Sequence, residues 1–221
     1  MAKHSIKILR ILPLLLTIYI SSASDPSPLQ DLCVANPSKP SGLAINGVPC
    51  KDPAKTVARD FKSSLLAKAG NTSNSLGSAL TIATASSFPG LNTQGLSFAR
   101  IDYSKGGIVQ PHFHPRASEV LYVMKGTLVA GFMDTQNRLF EETVKEGELF
   151  VFPQGMVHFI QNLGDGPAVS LSSLNSQNPG AVLLAKTLFA SKPTVPDTVL
   201  AKAFKISLHE VHSIQIGLSR P

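Results

Sequence analysis

Residues 79–174 form a series of short apolar runs separated by turn-forming residues, and this series limits the folds open to the chain. Each run is four to eight residues long, and glycine, proline, asparagine or aspartate separates it from the next. Runs of this length and spacing indicate antiparallel β-strands, and many of them in succession predict a sandwich or a barrel. The predicted strands are 80–85, 96–103, 120–124, 127–132, 149–152, 157–161 and 168–174.

The segment His112-Phe113-His114 places two imidazoles on a further extended run. Alternate residues of a strand project to the same face, so His112 and His114 can reach one metal ion together. Glu119 and the more distant His158 would add an oxygen ligand and a third nitrogen ligand. Four such ligands, with room left for water or substrate, are typical of an open redox or Lewis-acid site.

Glycines and prolines stand at regular distances from these candidate ligands. Gly106 lies six residues before His112, and Gly126 lies seven residues after Glu119. A second block follows, made of Gly147, Pro153, Gly155, His158 and Asn162. The two blocks resemble the two motifs of the cupin superfamily, and the stretch 102–120, read as DYSKGGIVQPHFHPRASEV, resembles plant germins and germin-like proteins.

The germin resemblance implies an all-β fold, a cupin jelly-roll β-barrel with a few C-terminal helices. It also implies manganese bound by His112, His114, Glu119 and His158, and a homohexamer built as a trimer of dimers. The ligand types alone do not select the metal, since by affinity they favour copper or zinc over manganese. The alternative is a barrel that retains these residues for packing, although a buried carboxylate among imidazoles would be costly without a cation.

The first 23 residues are interpreted as a secretory signal peptide. Basic residues at positions 3, 7 and 10 accompany an apolar run over 11–20, and Ser21 and Ala23 suit a small-residue cleavage site. A membrane anchor is the alternative, but the run is too short to span a bilayer. With the germin resemblance, secretion predicts the extracellular space, apoplast and cell wall as the location.

The net charge of the chain is too small to indicate nucleic-acid binding. The formal charge is +6, and it falls to +3 without the signal peptide, which carries three basic and no acidic residues. The remaining lysines and arginines are scattered, as on an ordinary solvated surface. The sequence therefore predicts no nucleic-acid partner, and outside the first 23 residues it has no apolar stretch long enough for a membrane span.

Residues 24–221 are expected to form a single domain, because they suffice for one core and contain no linker-like region. The barrel is expected at about 79–175 and the helices at about 178–217. Cys33 and Cys50 are the only cysteines, and they are expected to pair in the oxidising secretory route. This disulfide would stabilise the fold by roughly 3 kcal/mol, and two free buried thiols are the alternative.

Asn71 opens an Asn-Thr-Ser sequon in a polar stretch, 70–78, that is expected to be an exposed loop. It is the candidate N-glycosylation site of a secreted chain.

Helical patterns begin after the last predicted strand. Asn178 followed by Pro179 predicts a helix start, with an apolar stripe over 180–190. Capping-box patterns at 194–197 and 207–210 predict two further short helices.

The germin resemblance implies that these C-terminal helices clasp a neighbouring subunit, but their apolar residues would equally suit packing on their own barrel. His209 and His212, three residues apart, are interpreted as surface or interface histidines and not as ligands. The apolar residues in question are Val182, Leu183, Leu200, Phe204, Ile214 and Ile216.

Superoxide dismutation, with a role for its hydrogen peroxide in defence or wall metabolism, is the activity that the resemblance implies first. It asks only for an accessible metal of suitable potential. Oxalate oxidation, the activity of true germins, also needs two asparagines that orient the substrate, and their positions correspond to Ala99 and Val109. Neither side chain can donate a hydrogen bond, so the sequence disfavours oxalate oxidase activity and keeps it only as an alternative.

Two further alternatives to dismutation follow from the resemblance. One is an apoplastic receptor or binding protein for a small carboxylate such as auxin, with Val109, Met124, Phe150 and Phe152 as candidate lining residues. The other is nucleotide-sugar hydrolysis, for which the sequence shows no phosphate-binding loop.

Overall fold

The computed structural model describes residues 25, 28–36, 38 and 47–219, so the predicted signal peptide over 1–23 lies outside the described residues. Within them, the strands confirm the predicted all-β class. The strands are β1 Ser78–Ala83, β2 Ser97–Tyr103, β3 Ile108–Phe113, β4 Glu119–Lys125, β5 Thr127–Met133, β6 Leu139–Lys145, β7 Leu149–Phe152, β8 Val157–Asn162, β9 Ala168–Leu174 and β10 Val182–Leu183.

These strands form two antiparallel five-stranded sheets that enclose a barrel-like core. One sheet has the order β1-β2-β9-β4-β7, and the other has the order β10-β3-β8-β5-β6. Side chains alternate along each strand, so that in β4 Leu121 and Val123 are buried while Val120 and Tyr122 are exposed. One row of each strand therefore fills the interior.

Two of the strands carry no clear sequence signal. All seven predicted strands are present within a few residues of their expected bounds, and β3 carries the histidine pair. β6 was not predicted because it lies at a sheet edge, where Val144 is its only buried residue. β10 is two residues long and pairs with the end of β3.

The helix expected to start at Asn178 begins later. The segment after β9 instead places Gly180 in a left-handed conformation, φ +68°, and then forms β10, so that the first helix starts at Leu184. Pairing of β10 with β3 takes precedence there over helix formation. The helices are α1 Leu184–Phe189, α2 Asp197–Phe204 and α3 Leu208–Ser219.

The three helices share a small core of their own. Phe189, Leu200 and Val211 are buried together, whereas Phe204 and Ile216 are exposed. The capping box at the start of α3 is present, since the Ser207 Oγ accepts from the Glu210 N–H and the Glu210 carboxylate accepts from the Ser207 N–H. The capping box predicted at 194–197 is absent, because α2 begins without a hydrogen bond from a capping side chain. Clasping of a neighbouring subunit stays a prediction.

The segment before β1 contains a disulfide, and hydrogen bonds to a buried ion pair on β2 attach it to the barrel. Cys33 and Cys50 form the expected disulfide. Asp102 on β2 is 5% exposed, and it accepts hydrogen bonds from the Arg100 guanidinium and from the Gly70 N–H. Arg100 also donates to the carbonyl of Leu66. The contacts of Gly70 and Leu66 join the early segment to the sheet that carries β2.

Candidate metal centre

Four buried side chains from three strands converge at one end of the barrel. His112 lies on β3, His114 directly follows it, Glu119 opens β4 and His158 lies on β8. One ligand atom from each lies within 4.8 Å of the others. The structure thus brings together every ligand that the sequence predicted.

Strand register explains the convergence. His112 and His158 are directly opposite each other in the β3–β8 pair, and their ring centroids are 4.2 Å apart. The register of this pair shifts between Val109 and His112, next to Pro111, which has no N–H to donate to the ladder. Glu119 reaches the same point from the other sheet, where it pairs with Leu174.

Each imidazole is held by a backbone carbonyl on its Nδ1 side. His112 Nδ1 lies 2.9 Å from the carbonyl oxygen of Gln110, and His158 Nδ1 lies 2.9 Å from that of Met156. His114 Nδ1 bonds to the carbonyl of Gly180. A carbonyl only accepts, so each Nδ1 carries a proton, and this leaves a lone pair on the Nε2 of His112 and of His158. The His114 Nε2 is hydrogen-bonded to the Glu119 carboxylate and has to give up a proton to bind a metal.

The protonation states of Glu119 and His112 suit a cation. Burial alone raises the pKa of Glu119, but its contacts with His114 and His158 outweigh burial and hold the pKa well below its usual range. Burial, helped by the nearby His158, lowers the pKa of His112 to about 4. Burial lowers the pKa of His114, but the hydrogen bond to Glu119, 2.9 Å from Nε2, raises it above its usual value.

One buried atom of the cluster has no partner within the described chain. His158 is 1% exposed, and its Nε2 forms no hydrogen bond although the Glu119 carboxylate lies 3.4 Å away. A buried polar atom without a partner is costly, and a cation between the imidazoles and the carboxylate would satisfy it. The residues present therefore fit a divalent metal ion, and their types do not choose among first-row metals.

An apolar cavity of about 270 Å³ adjoins His112, His114 and Glu119. Ala99 and Val109 both line it, so the two positions that matter for oxalate lie where a substrate would approach. Few polar groups are available there, apart from the ligands, Thr84 and Asn178. The apolar lining consists of Leu80, Ile82, Ala99, Ile101, Val109, Ile160, Leu174, Pro179, Ala181 and Leu183.

Three of the four predicted lining residues lie elsewhere. Val109 lines the cavity, but Met124 is exposed on the outer face of its sheet, 46% accessible. Phe152 stacks on the His158 ring at 4.4 Å, and Phe150 packs against Phe152. Phe152 thus supports the His158 ring, Phe150 supports Phe152, and neither residue lines the cavity.

The remaining motif residues shape the turns around the site. Asn162 is 1% exposed, donates to the carbonyls of Ser104 and Gly166, and accepts from the Gly164 N–H. It therefore fastens the end of β8 to the loop before β3. Gly155 has φ +74°, in the turn that leads into His158.

The other predicted positions lie away from the centre. Asn71 is exposed, and its side chain accepts from the Ser73 N–H in the loop before β1. His212 pairs with Asp197 across α2 and α3, and His209 is exposed on α3. Among the described residues no helix is long and apolar enough to cross a membrane.

Gly180 is the contributor to the site that the sequence did not reveal. Its carbonyl orients His114 from 66 residues away. A glycine at position 180 is consistent with a positive φ, but the sequence does not indicate which side chain its carbonyl contacts.

Comparison with known proteins identifies the family. The cupin family, described as Cupin, matches residues 64–212. Germin-like protein subfamily 2 member 1 of Arabidopsis thaliana is 50% identical over 209 residues, 94% of each chain. Germin-like protein 1-1 of Oryza sativa subsp. japonica is 50% identical over 88% of each chain. A solved oxalate oxidase superposes with a TM-score of 0.85 at 42% identity, over 89% of this chain and 98% of that one.

The two sheets and the buried cluster of three histidines and one glutamate define a cupin with a candidate metal site. Within that class, the chain belongs to the germin-like proteins. The fold and family expected from the two motifs are thereby confirmed.

Proposed function

We propose that the protein is a secreted, manganese-binding germin-like protein of the plant extracellular matrix with superoxide dismutase activity. The observation that carries this proposal is the cluster itself, in which three imidazoles held at Nδ1 turn their Nε2 atoms toward one ionised carboxylate. Such a donor set holds a divalent ion and leaves coordination positions open.

His112, His114, Glu119 and His158 would hold the ion, and the cavity would admit superoxide. Bound manganese supplies one-electron redox chemistry. One superoxide gives up an electron and leaves as dioxygen, and a second takes up that electron with two protons and leaves as hydrogen peroxide. The four side chains would hold the ion throughout, and the carbonyl contacts of the three imidazoles keep their rings from turning.

We do not propose oxalate oxidase activity, although solved relatives are oxalate oxidases, one of them in complex with glycolate. A bidentate dianion needs hydrogen-bond donors beside the metal. The corresponding positions, Ala99 and Val109, present only methyl groups to the cavity.

A second candidate function is binding of a small carboxylate with an apolar body, for example an auxin-like aromatic acid. The apolar lining of the cavity beside the cluster favours it. The carboxylate would face the metal and the body would face residues such as Ile101 and Ile160.

Secretion to the apoplast and cell wall, glycosylation at Asn71 and assembly into a hexamer complete the proposal, together with a role in defence or wall metabolism. The paired Cys33 and Cys50 and the exposed Asn71 support passage through a secretory route. The single-domain organisation of residues 24–221 is part of the same proposal.

The decisive experiment measures metal content and assays superoxide and oxalate turnover in parallel, in the wild type and in His112→Ala. Superoxide turnover that tracks manganese and disappears in His112→Ala, with oxalate inert, is the expected result. Oxalate turnover by the wild type would contradict the argument from Ala99 and Val109. Bound manganese without either activity, with saturable binding of indole-3-acetate, would move the assignment to the second candidate.

A further inference from the structure

A second cavity, which we call the outer cleft, adjoins the metal cavity. It has a volume of about 410 Å³, and Thr84 and Asn178 line both cavities. In contrast to the apolar metal cavity, the outer cleft is lined by polar side chains, among them Arg116, Asp25 and Gln177. The two cavities therefore meet at Thr84 and Asn178, where a polar surface leads to an apolar interior.

Arg116 has donors to spare in this cleft. Its Nε donates to the Asn178 carbonyl at 2.7 Å, and its backbone N–H donates to the Pro179 carbonyl at 3.3 Å. Within the described chain, neither Nη group has a hydrogen bond or an ion pair. An arginine held at Nε presents its two Nη groups in a fixed orientation, which suits binding of a small anion.

The guanidinium lies close to the ligand shell of the metal centre. A Cβ built on Gly180 would lie 2.9 Å from the Arg116 Nη2, so the group covers the residue whose carbonyl holds His114. Asp25, the carboxylate of the cleft, accepts from the Ser176 hydroxyl and the Gln177 N–H, and among the described residues it forms no ion pair with Arg116. The guanidinium thus stands unpaired beside the junction of the two cavities.

We infer that Arg116 is the residue that attracts anions to the entrance of the metal cavity. It acts as a positioning residue for an anionic substrate and does not bind the metal. An apolar cavity gives an anion no favourable approach of its own, whereas one fixed cation at its entrance raises the local anion concentration. This inference rests on the proposed metal function, for which superoxide is the anion concerned.

A purely structural role for Arg116 makes a different prediction. If its only task were to hold the segment 178–180, loss of the Nε contact would matter and the charge would not. Arg116→Lys keeps the charge and loses that contact, whereas Arg116→Gln loses both. Lys125→Gln is the matched control, because it removes an exposed charge at the opposite end of β4 from Glu119.

The test measures azide binding to the manganese-loaded protein by calorimetry, in the four proteins, at about 0.01 M and about 0.5 M salt. At low salt we expect azide to bind about three to ten times more weakly to Arg116→Gln, and about equally to the wild type, Arg116→Lys and Lys125→Gln. At high salt the difference should shrink, since the screening length falls from about 30 Å to a few ångströms.

Equal weakening in both Arg116 variants at both salt concentrations would overturn the inference in favour of a structural role, and unchanged binding in Arg116→Gln would overturn it outright. Superoxide turnover of the same samples separates this inference from the proposed function. If azide binding depends on the charge at position 116 while the wild type does not turn over superoxide, the dismutase proposal fails and the anion entrance stands.

Discussion

Glu119 and Asp102 are two buried carboxylates, each 5% exposed, in very different surroundings. Asp102 is matched by a permanent cation, Arg100, and by a backbone N–H, so its charge and its hydrogen-bonding capacity are met within the chain. Glu119 faces imidazoles, and the buried His158 Nε2 beside it has no hydrogen-bond partner among the residues that the structure describes. The comparison distinguishes Asp102, whose role is structural, from Glu119, whose surroundings suit a metal ion.

The largest expected effect is on metal affinity. Glu119→Gln keeps the size of the side chain and removes the only anionic ligand, so manganese affinity should fall more than about hundredfold. The metal-free protein should also unfold more easily, because the contacts with His114 and His158 that hold the pKa of the carboxylate low are lost. Metal titration and denaturant unfolding check both statements, and wild-type affinity in Glu119→Gln would show that the carboxylate is not a ligand.

The converse substitution should act on stability alone. Asp102→Asn leaves the Arg100 guanidinium, 18% exposed, without its counter-charge, which should cost about 2 to 3 kcal/mol of unfolding free energy. Manganese affinity should remain that of the wild type. If Asp102→Asn weakened metal binding more than its stability loss explains, the two carboxylates would not be independent.

The stabilisation by Asp102 should also depend on pH with a definite sign. Burial raises the pKa of Asp102, but the hydrogen bonds from Arg100 and Gly70 outweigh it and lower the pKa below 3.8. The folded state therefore holds this proton less tightly than the unfolded state. The stability difference between wild type and Asp102→Asn should be full above about pH 4 and shrink as the pH falls below it. A constant difference from pH 6 to pH 2.5, measured by urea unfolding, would contradict this account.

The smallest expected effect comes from the contact between the Gly180 carbonyl and His114, the imidazole that is hydrogen-bonded to Glu119. Gly180→Ala places a Cβ against Arg116 at a residue with φ +68°, which should disturb the carbonyl that holds His114. Manganese affinity should fall about tenfold. Gly147→Ala is the control, because Gly147 also has a positive φ, +86°, but a Cβ there meets nothing within 4 Å. Equal affinities in the two variants would mean that the Gly180 carbonyl is dispensable.

The ligands were predictable because they lie in local motifs, whereas their supports were not. His112 and His114 share a strand face, and that is legible from their spacing alone. The carbonyl of Gly180 and the guanidinium of Arg116 reach the site through tertiary contacts, which leave no local periodicity. Asn162 is an intermediate case, since the motif marks it and only the structure shows that it ties two loops.

The same reasoning explains the errors in the fold. β6 is exposed along its length except at Val144, and so it has no alternation of apolar and polar residues that would mark a strand. The segment after Asn178 has helix-forming residues, but the edge of β3 binds it as a strand. Met124 was expected inside the barrel because it is apolar, yet its place in the alternation of β4 puts it outside.

The carbonyl of Gly180 makes the candidate metal site depend on a late part of the chain. Gln110 and Met156 each lie two residues before the histidine that they hold, so His112 and His158 acquire their tautomers as soon as β3 and β8 pair. His114 waits for a residue 66 positions further along the chain. A chain in which the segment around Gly180 has not yet packed against the barrel would therefore bind a metal more weakly. Tight metal binding would then indicate that the C-terminal part of the chain is in place.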